Sequence, residues 1–234
     1  MKKSILTVFL IFSTQSLIAA DDGWSGEGEL GAIATNGNTK ATSITAKLDL
    51  ANKMGPWKHE LGLGANNVTS DSTRTSENYF LKWKSARDFT PTYYGFGSFR
   101  YDDDSFSGFD FQSSLAAGIG MHTIKQKDIT LDLEAGIGYQ VNKEKLTGDK
   151  IQSAVFIGGL FYKNQFTTTT RFTQDITIEA GSKNSYIESE TALRVSISDK
   201  LGLKVSLTAK HNTDVAVGTK KTDTISAVTL SYDF

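Results

Sequence analysis

The sequence predicts an all-β fold, a transmembrane, antiparallel, up-and-down β-barrel of about 12 strands. Three observations predict it. The final residues Thr229-Leu230-Ser231-Tyr232-Asp233-Phe234 alternate large apolar with small polar side chains, so Val228, Leu230, Tyr232 and Phe234 share one face and Ala227, Thr229, Ser231 and Asp233 the other. The same two-residue period runs through 129–141 and 201–211, where a helix would bring apolar residues back at three and four. Hydrophobic residues are only 38% of the 234, with Gly at 21. A soluble core of this length wants more apolar residue, whereas a barrel wall needs it only on its lipid-facing half.

The elements follow in order. Met1-Lys2-Lys3, an apolar stretch from Ile5 to Ile18 and the small pair Ala19-Ala20 read as a secretory signal peptide over 1–20, leaving 21–234 for the barrel. Ile18, third before the break, is larger than is usual at a cleavage site. That apolar stretch is too short to span a bilayer, and no later one approaches the roughly 20 residues a membrane helix needs. Removing the two lysines takes the net charge from -1 to about -3, a mild acidity that argues against a nucleic-acid partner. Cysteine is absent, so an exported chain of this kind closes through backbone hydrogen bonds alone.

The first strand, 23–35, turns Glu27 and Glu29 inward and meets Asn36-Gly37-Asn38, a hairpin signal. The second, 39–52, carries Lys47 and Asp49 and stops at Lys53-Met54-Gly55. The third, 56–68, brings in Lys58, Glu60, Gly62 and Gly64, and the fourth, 75–88, Lys82 and Lys84. Pro56 and Pro91 fall in breaks, where a missing donor costs no ladder bond. The fifth strand, 92–103, supplies Arg100 and runs into Asp102-Asp103-Asp104. The sixth and seventh, 108–124 and 127–142, hold Asp110, Gly118, Gly120, Asp132, Glu134, Gly136 and Gly138 on the inner face. The eighth is 150–163, and the ninth, 165–179, offers Arg171 and Asp175. The tenth, 185–198, offers Glu188, Glu190 and Arg194, the eleventh, 200–212, Lys204 and Lys210, and the twelfth, 221–234, closes the ring. Connections after even-numbered strands are tight and suit periplasmic turns. Those after odd-numbered strands, such as Thr69 to Arg74, Lys143 to Asp149 and Asp214 to Lys220, are longer and more polar and suit the outer side.

Aromatic residues fit interface girdles. Trp24, Trp57, Phe89, Tyr93, Phe161, Tyr232 and Phe234 lie at expected periplasmic ends, and Phe109 and Phe111 at outer ends. The paired inward glycines are expected to leave room for bulky neighbours or to permit wall curvature.

Gly23-Trp24-Ser25-Gly26, Glu29-Leu30-Gly31 and Thr35-Asn36-Gly37-Asn38-Thr39 resemble the opening of the YdiY-like family of outer-membrane proteins described as salt-induced, a family of unknown function. Phe99-Arg100-Tyr101-Asp102, Phe106-Ser107-Gly108-Phe109-Asp110 and Ala117-Gly118-Ile119-Gly120 resemble its middle. The resemblance covers essentially the whole mature chain and implies an outer-membrane location and a link to salt stress. It supplies no catalytic, cofactor or metal residues.

The candidate functional residues are therefore the lumen-lining charges Glu27, Glu29, Lys82, Lys84, Arg100, Asp132, Glu134, Arg171, Glu188, Glu190, Arg194 and Lys204. Both signs are represented, which argues against strong selectivity. A wall of this size has a backbone radius of about 12 Å, narrow once side chains are added. The polar interior suits either a thin channel or a hydrogen-bonded core bracing the wall. His59 and His211 are expected outward and His122 inward, none with a serine two positions away on its own face, so a catalytic serine–histidine pair would have to form across strands. No spacing resembles a zinc site, and no cofactor is expected. Asp102-Asp103-Asp104 is expected to be a solvated acidic turn, lacking the alternating pattern of a calcium loop. The function expected is a narrow passive pore or a structural envelope barrel, not an enzyme. The alternative is a barrel that binds a surface ligand or lipopolysaccharide, and behind it a lipid-modifying hydrolase. Expected partners are outer-membrane lipids and lipopolysaccharide, periplasmic chaperones and the barrel-assembly machinery, with the barrel itself a monomer.

Overall fold

The computed structural model describes residues 23–35, 41–70, 73–105, 107–215, 218 and 220–234. The signal-peptide reading of 1–20 and the Asn36-Gly37-Asn38 turn lie outside the described residues. The strands are β1 (Trp24–Thr35), β2 (Ala41–Met54), β3 (Trp57–Ser70), β4 (Thr73–Asp88), β5 (Tyr93–Asp104), β6 (Phe109–Lys125), β7 (Ile129–Glu144), β8 (Lys150–Gln165), β9 (Thr170–Gly181), β10 (Tyr186–Ser196), β11 (Leu201–Asn212) and β12 (Thr222–Asp233). Each pairs antiparallel with its sequence neighbours, and β1 with β12, so the twelve described strands close into a barrel and none of them is left as a free sheet edge.

The two-residue period sets what faces where. Ile119, Ile137 and Phe156 stand outward and exposed, while Ser231 and Gln140 on the opposite parity are fully buried. Apolar side chains thus coat the outside and polar ones fill the inside, the reverse of a soluble sandwich. Among the described residues, buried Ala86, Tyr94 and Phe96 form a small apolar cluster inside, packed with Ile157.

Strand ends depart from expectation where turn chemistry overrides β propensity. The ninth strand begins at Thr170, not 165. Thr167 Oγ1 accepts hydrogen bonds from the backbone N–H of Thr169 (3.2 Å) and Thr170 (3.0 Å), making a turn of a threonine run that otherwise favours strand. On the opposite side the ladders run further than expected, β3 to Ser70 and β7 to Glu144. The β7–β8 connection is accordingly confined to 145–149, whereas that between β11 and β12 spans 213–221. In the β2–β3 turn, Gly55 takes φ 57°, a left-handed value that suits glycine.

The glycines on the inner face clear space for aromatic rings and for the wall itself. Tyr94 lies against Gly120, and Phe80 against Gly64. Gly118 and Gly136 oppose each other across β6 and β7, where a Cβ on Gly136 would stand 2.5 Å from the Ala117 carbonyl oxygen.

Two aromatic assignments are corrected. Phe161 is on the inner face of β8, with Lys84 Nζ 4.3 Å from its ring centroid, because β8 carries apolar residues at both parities and shows no contrast in sequence. Phe109 is 1% exposed and belongs to the interior, since a register shift between Phe109 and Phe111 turns it away from lipid. Trp24, Trp57, Phe89, Tyr93, Tyr232 and Phe234 are exposed near the terminal end, and Phe111 stacks on Tyr101 near the other.

Candidate lumen

Inward parity on the twelve strands converges charged side chains on one space. The lumen holds a cavity of about 740 Å³ that reaches from Ser25, Lys58 and Asp233 at the terminal end to Arg100, Glu179 and Tyr186. Of the sequence-derived candidates, Glu27, Lys82, Lys84, Arg100, Asp132, Glu134, Arg171, Glu188, Glu190, Arg194 and Lys204 line it. Glu29 is buried beside it, bonded to Lys204 Nζ at 2.7 Å and to Thr229 Oγ1 at 2.8 Å.

The charges form pairs that cross the space as well as pairs along the wall. Lys82 on β4 meets Glu188 on β10, half-way round the ring, and Arg171 meets Glu27. Lys47 Nζ lies 3.0 Å from Glu190. Lys84 pairs with Glu134, whose other bond is donated by the Tyr94 hydroxyl at 2.7 Å. Arg194 reaches Asp233 at 2.7 Å and donates from Nε to Ser231 Oγ at 2.7 Å. Near the terminal end, His122 sits between Asp132 (2.8 Å) and Asp88 (3.3 Å) and against the Tyr94 ring.

At the far end a layer of buried polar groups closes the lumen. Arg100 donates to both carboxylate oxygens of Glu179 at 2.9 Å, and its guanidinium stands 4.0 Å from the Tyr186 ring centroid. The Tyr186 hydroxyl donates to Glu188 at 2.6 Å, and Ser114 donates to Glu179 at 2.7 Å. Asp102 accepts from Lys210 at 2.5 Å and from Asn78 at 3.1 Å. Asn212 Oδ1 accepts from Gln112 at 2.9 Å and from Asn184 at 2.8 Å, while Gln140 donates to the Asn184 carbonyl at 2.9 Å. Among the described residues this barrier consists of strand side chains together with Asn184 of the β9–β10 connection. Beyond it a small space of about 10 Å³ is lined by Asp104, Ser107 and Asp223.

This layer overturns the reading of Asp102-Asp103-Asp104 as a solvated turn. All three residues belong to β5, and Asp102 is 4% exposed and engaged by Lys210 and Arg100. The ladder continued through them because inward Asp102 has cationic partners that only the closed ring supplies. Asn78, Gln112, Gln140 and Asn212 were missed as functional candidates, although their inward parity was available in the sequence. Asn184 lies in the β9–β10 connection, where parity gives no signal.

The histidines hold one further arrangement. Asn52, His59 and Ser85 stand in register on neighbouring strands, and His59 Nδ1 is 2.9 Å from Ser85 Oγ, with the imidazole stacked on Trp57. A cross-strand serine is therefore present on the outward face. Acyl transfer also needs donors aimed at a developing oxyanion, and here the backbone N–H groups belong to continuous ladders. The Ser85 contact and the Trp57 stack anchor an interfacial histidine.

Among solved structures, the fold is similar to the translocator domain of the autotransporter NalP from Neisseria meningitidis, with TM-score 0.51 and 14% identity over 94% of this chain and 91% of that one. It is similar also to an outer-membrane channel from Pseudomonas putida F1, with TM-score 0.50 and 11% identity over 90% of this chain and 94% of that one. These likenesses concern the fold. In sequence the chain is 28% identical over 209 residues to the uncharacterized protein YdiY of Escherichia coli (strain K12), covering 88% of this chain and 82% of that protein. The family model described as protein of unknown function, DUF481, matches residues 28–234, nearly all of the barrel that the inward charges line, and the chain belongs to that family.

Proposed function

We propose that this protein is an outer-membrane barrel acting as a narrow, non-catalytic passive channel for water, ions and very small polar solutes, closed towards the cell exterior largely by side chains. The observation that carries this reading is the cavity of about 740 Å³ running from the Ser25–Asp233 rim to the Arg100–Tyr186 layer. An interior built only to brace the wall would fill that space, because protein interiors pack densely. The barrier is made largely of side chains on separate strands, so rotamer changes suffice to open it. Assembly by periplasmic chaperones and the barrel-insertion machinery, contact with lipopolysaccharide, and a part in the salt response belong to the proposal and rest on the fold and on the family resemblance.

The test is recording from the purified chain in planar bilayers. Wild type is expected to show small stepwise conductance, and Tyr186→Ala or Arg100→Ala, which remove the barrier, a larger one. Silence from all three, with heat-modifiable migration showing an intact barrel, would instead assign the interior to bracing the wall.

A further inference from the structure

Most carboxylates around the cavity are neutralised by a lysine or arginine within ion-pair distance, as with Glu27, Glu134, Glu179 and Glu190. Asp175 is different. It lines the cavity from the inner face of β9, is exposed to the lumen, and among the described residues its side chain makes no ion pair or hydrogen bond. Its in-register neighbours are Phe161 on β8 and Glu190 on β10. Phe161 offers no charge, and Glu190 is already held by Lys47 at 3.0 Å and approached by Lys204 at 3.6 Å.

Two residues to either side on the same strand, Thr173 and Thr177 face the same cavity. Strand geometry spaces these three side chains about 7 Å apart along the wall. Thr177 is flanked on β8 by Gly159, over which the Phe161 ring lies. The result is a strip of oxygen atoms, hydroxyl, carboxylate, hydroxyl, along the path a solute would take. One cation in the cavity, Lys163, also lacks an ion pair among the described residues, but it lies at the exposed mouth in register with Thr130 and Thr173, where water and salt screen it.

We infer that Asp175, with Thr173 and Thr177, forms a subsite for a partly hydrated monovalent cation and gives the lumen a cation preference. Apart from Lys163 at the mouth and Asp132, whose partner is His122, the other cavity charges are held in lysine or arginine ion pairs, so Asp175 adds an unpaired negative charge to the potential that a passing ion meets. A divalent ion is disfavoured by the donor set, since calcium wants six to eight oxygens and no group of three or more His, Cys, Asp or Glu able to hold a metal occurs among the described residues. The inference deepens the channel reading and rests on it for its transport consequence.

The experiment has two arms, both on the full purified chain. In bilayers under a potassium chloride gradient, the wild type, or Tyr186→Ala if the wild type stays closed, is expected to show a reversal potential on the cation side. Asp175→Asn should lose that potential, Asp175→Lys should reverse it, and Asp103→Asn on the outer wall should leave it unchanged. In detergent micelles, sodium-23 relaxation should show an excess for the wild type that Asp175→Asn abolishes. A conducting channel whose potential is the same in wild type and Asp175→Asn overturns the inference while leaving the channel intact. If nothing conducts, the channel reading falls, and equal sodium relaxation in the two proteins overturns the subsite as well.

Discussion

Asp102 on β5 and Lys210 on β11 lie on opposite walls of the twelve-strand ring and meet across the lumen at 2.5 Å. Both side chains are almost fully buried, and Asp102 also receives Arg100 at 3.3 Å. The contact is a strut across the barrel that anchors the layer closing the outer end.

Removing Asp102 leaves Lys210 buried with no ion pair among the described residues, and removing Lys210 leaves Asp102 with Arg100 alone. Asp102→Asn and Lys210→Met are each expected to destabilise the folded barrel by about 3 kcal/mol, read from urea unfolding in lipid vesicles. The double variant should recover part of the loss, as a coupled pair requires.

Glycine substitutions should separate by what the new Cβ meets. Gly136→Ala drives a methyl against the backbone of Ala117 at 2.5 Å, and β6 cannot yield without breaking its ladder. A loss of about 1–3 kcal/mol is expected. Gly28→Ala meets nothing within 4 Å and should change stability by less than about 0.5 kcal/mol. Equal effects in the same unfolding assay would contradict the close β6–β7 approach.

The outward face should behave as a lipid surface. Ile137, in the middle of β7, is 68% exposed, and Leu146, in the connection after it, is 73% exposed. Lysine at Ile137 is expected to cost about 2–4 kcal/mol in a bilayer and lysine at Leu146 about 0–1 kcal/mol. Vesicle folding titrations read this difference, and it should shrink in detergent micelles, whose headgroups lie closer to any point on the wall.

The closing seam should be the sensitive joint. The β1–β12 register spans only Glu27 to Leu30 against Leu230 to Asp233, extended by the reciprocal 3.0 Å bonds of Gly26 and Phe234. Other neighbouring strands share longer ladders. Glu29 reinforces the seam by accepting from Thr229 on β12 and Lys204 on β11. Glu29→Ala removes the nearest partner of Lys204, leaving Glu190 at 3.6 Å, and the acceptor of Thr229, and is expected to cost about 1–3 kcal/mol and to speed unfolding more than a comparable loss on β3. Unchanged unfolding kinetics would show that the barrel opens elsewhere.

Much of the fold was legible because its signal is local. Parity along a strand is a property of the backbone, so Ser231 and Leu230 could be assigned to opposite faces from their neighbours alone. The ninth strand's start was misplaced because Thr167 has both β propensity and a hydroxyl able to build a turn, and only the observed hydrogen bonds decide between them. Phe161 and Phe109 were misassigned for a related reason, since an aromatic residue suits lipid, interface and packed interior alike.

By itself the sequence determined the barrel class, the number of strands and which face of each strand carries charge, because a period of two residues is written into the chain wherever one face meets lipid and the other does not. Tertiary structure decided which charges meet: that Asp102 finds Lys210, that Lys82 finds Glu188, and that Asp175 makes no ion pair among the described residues. Those outcomes depend on how twelve strands stagger as the ring closes, and stagger places residues more than a hundred positions apart at hydrogen-bonding distance.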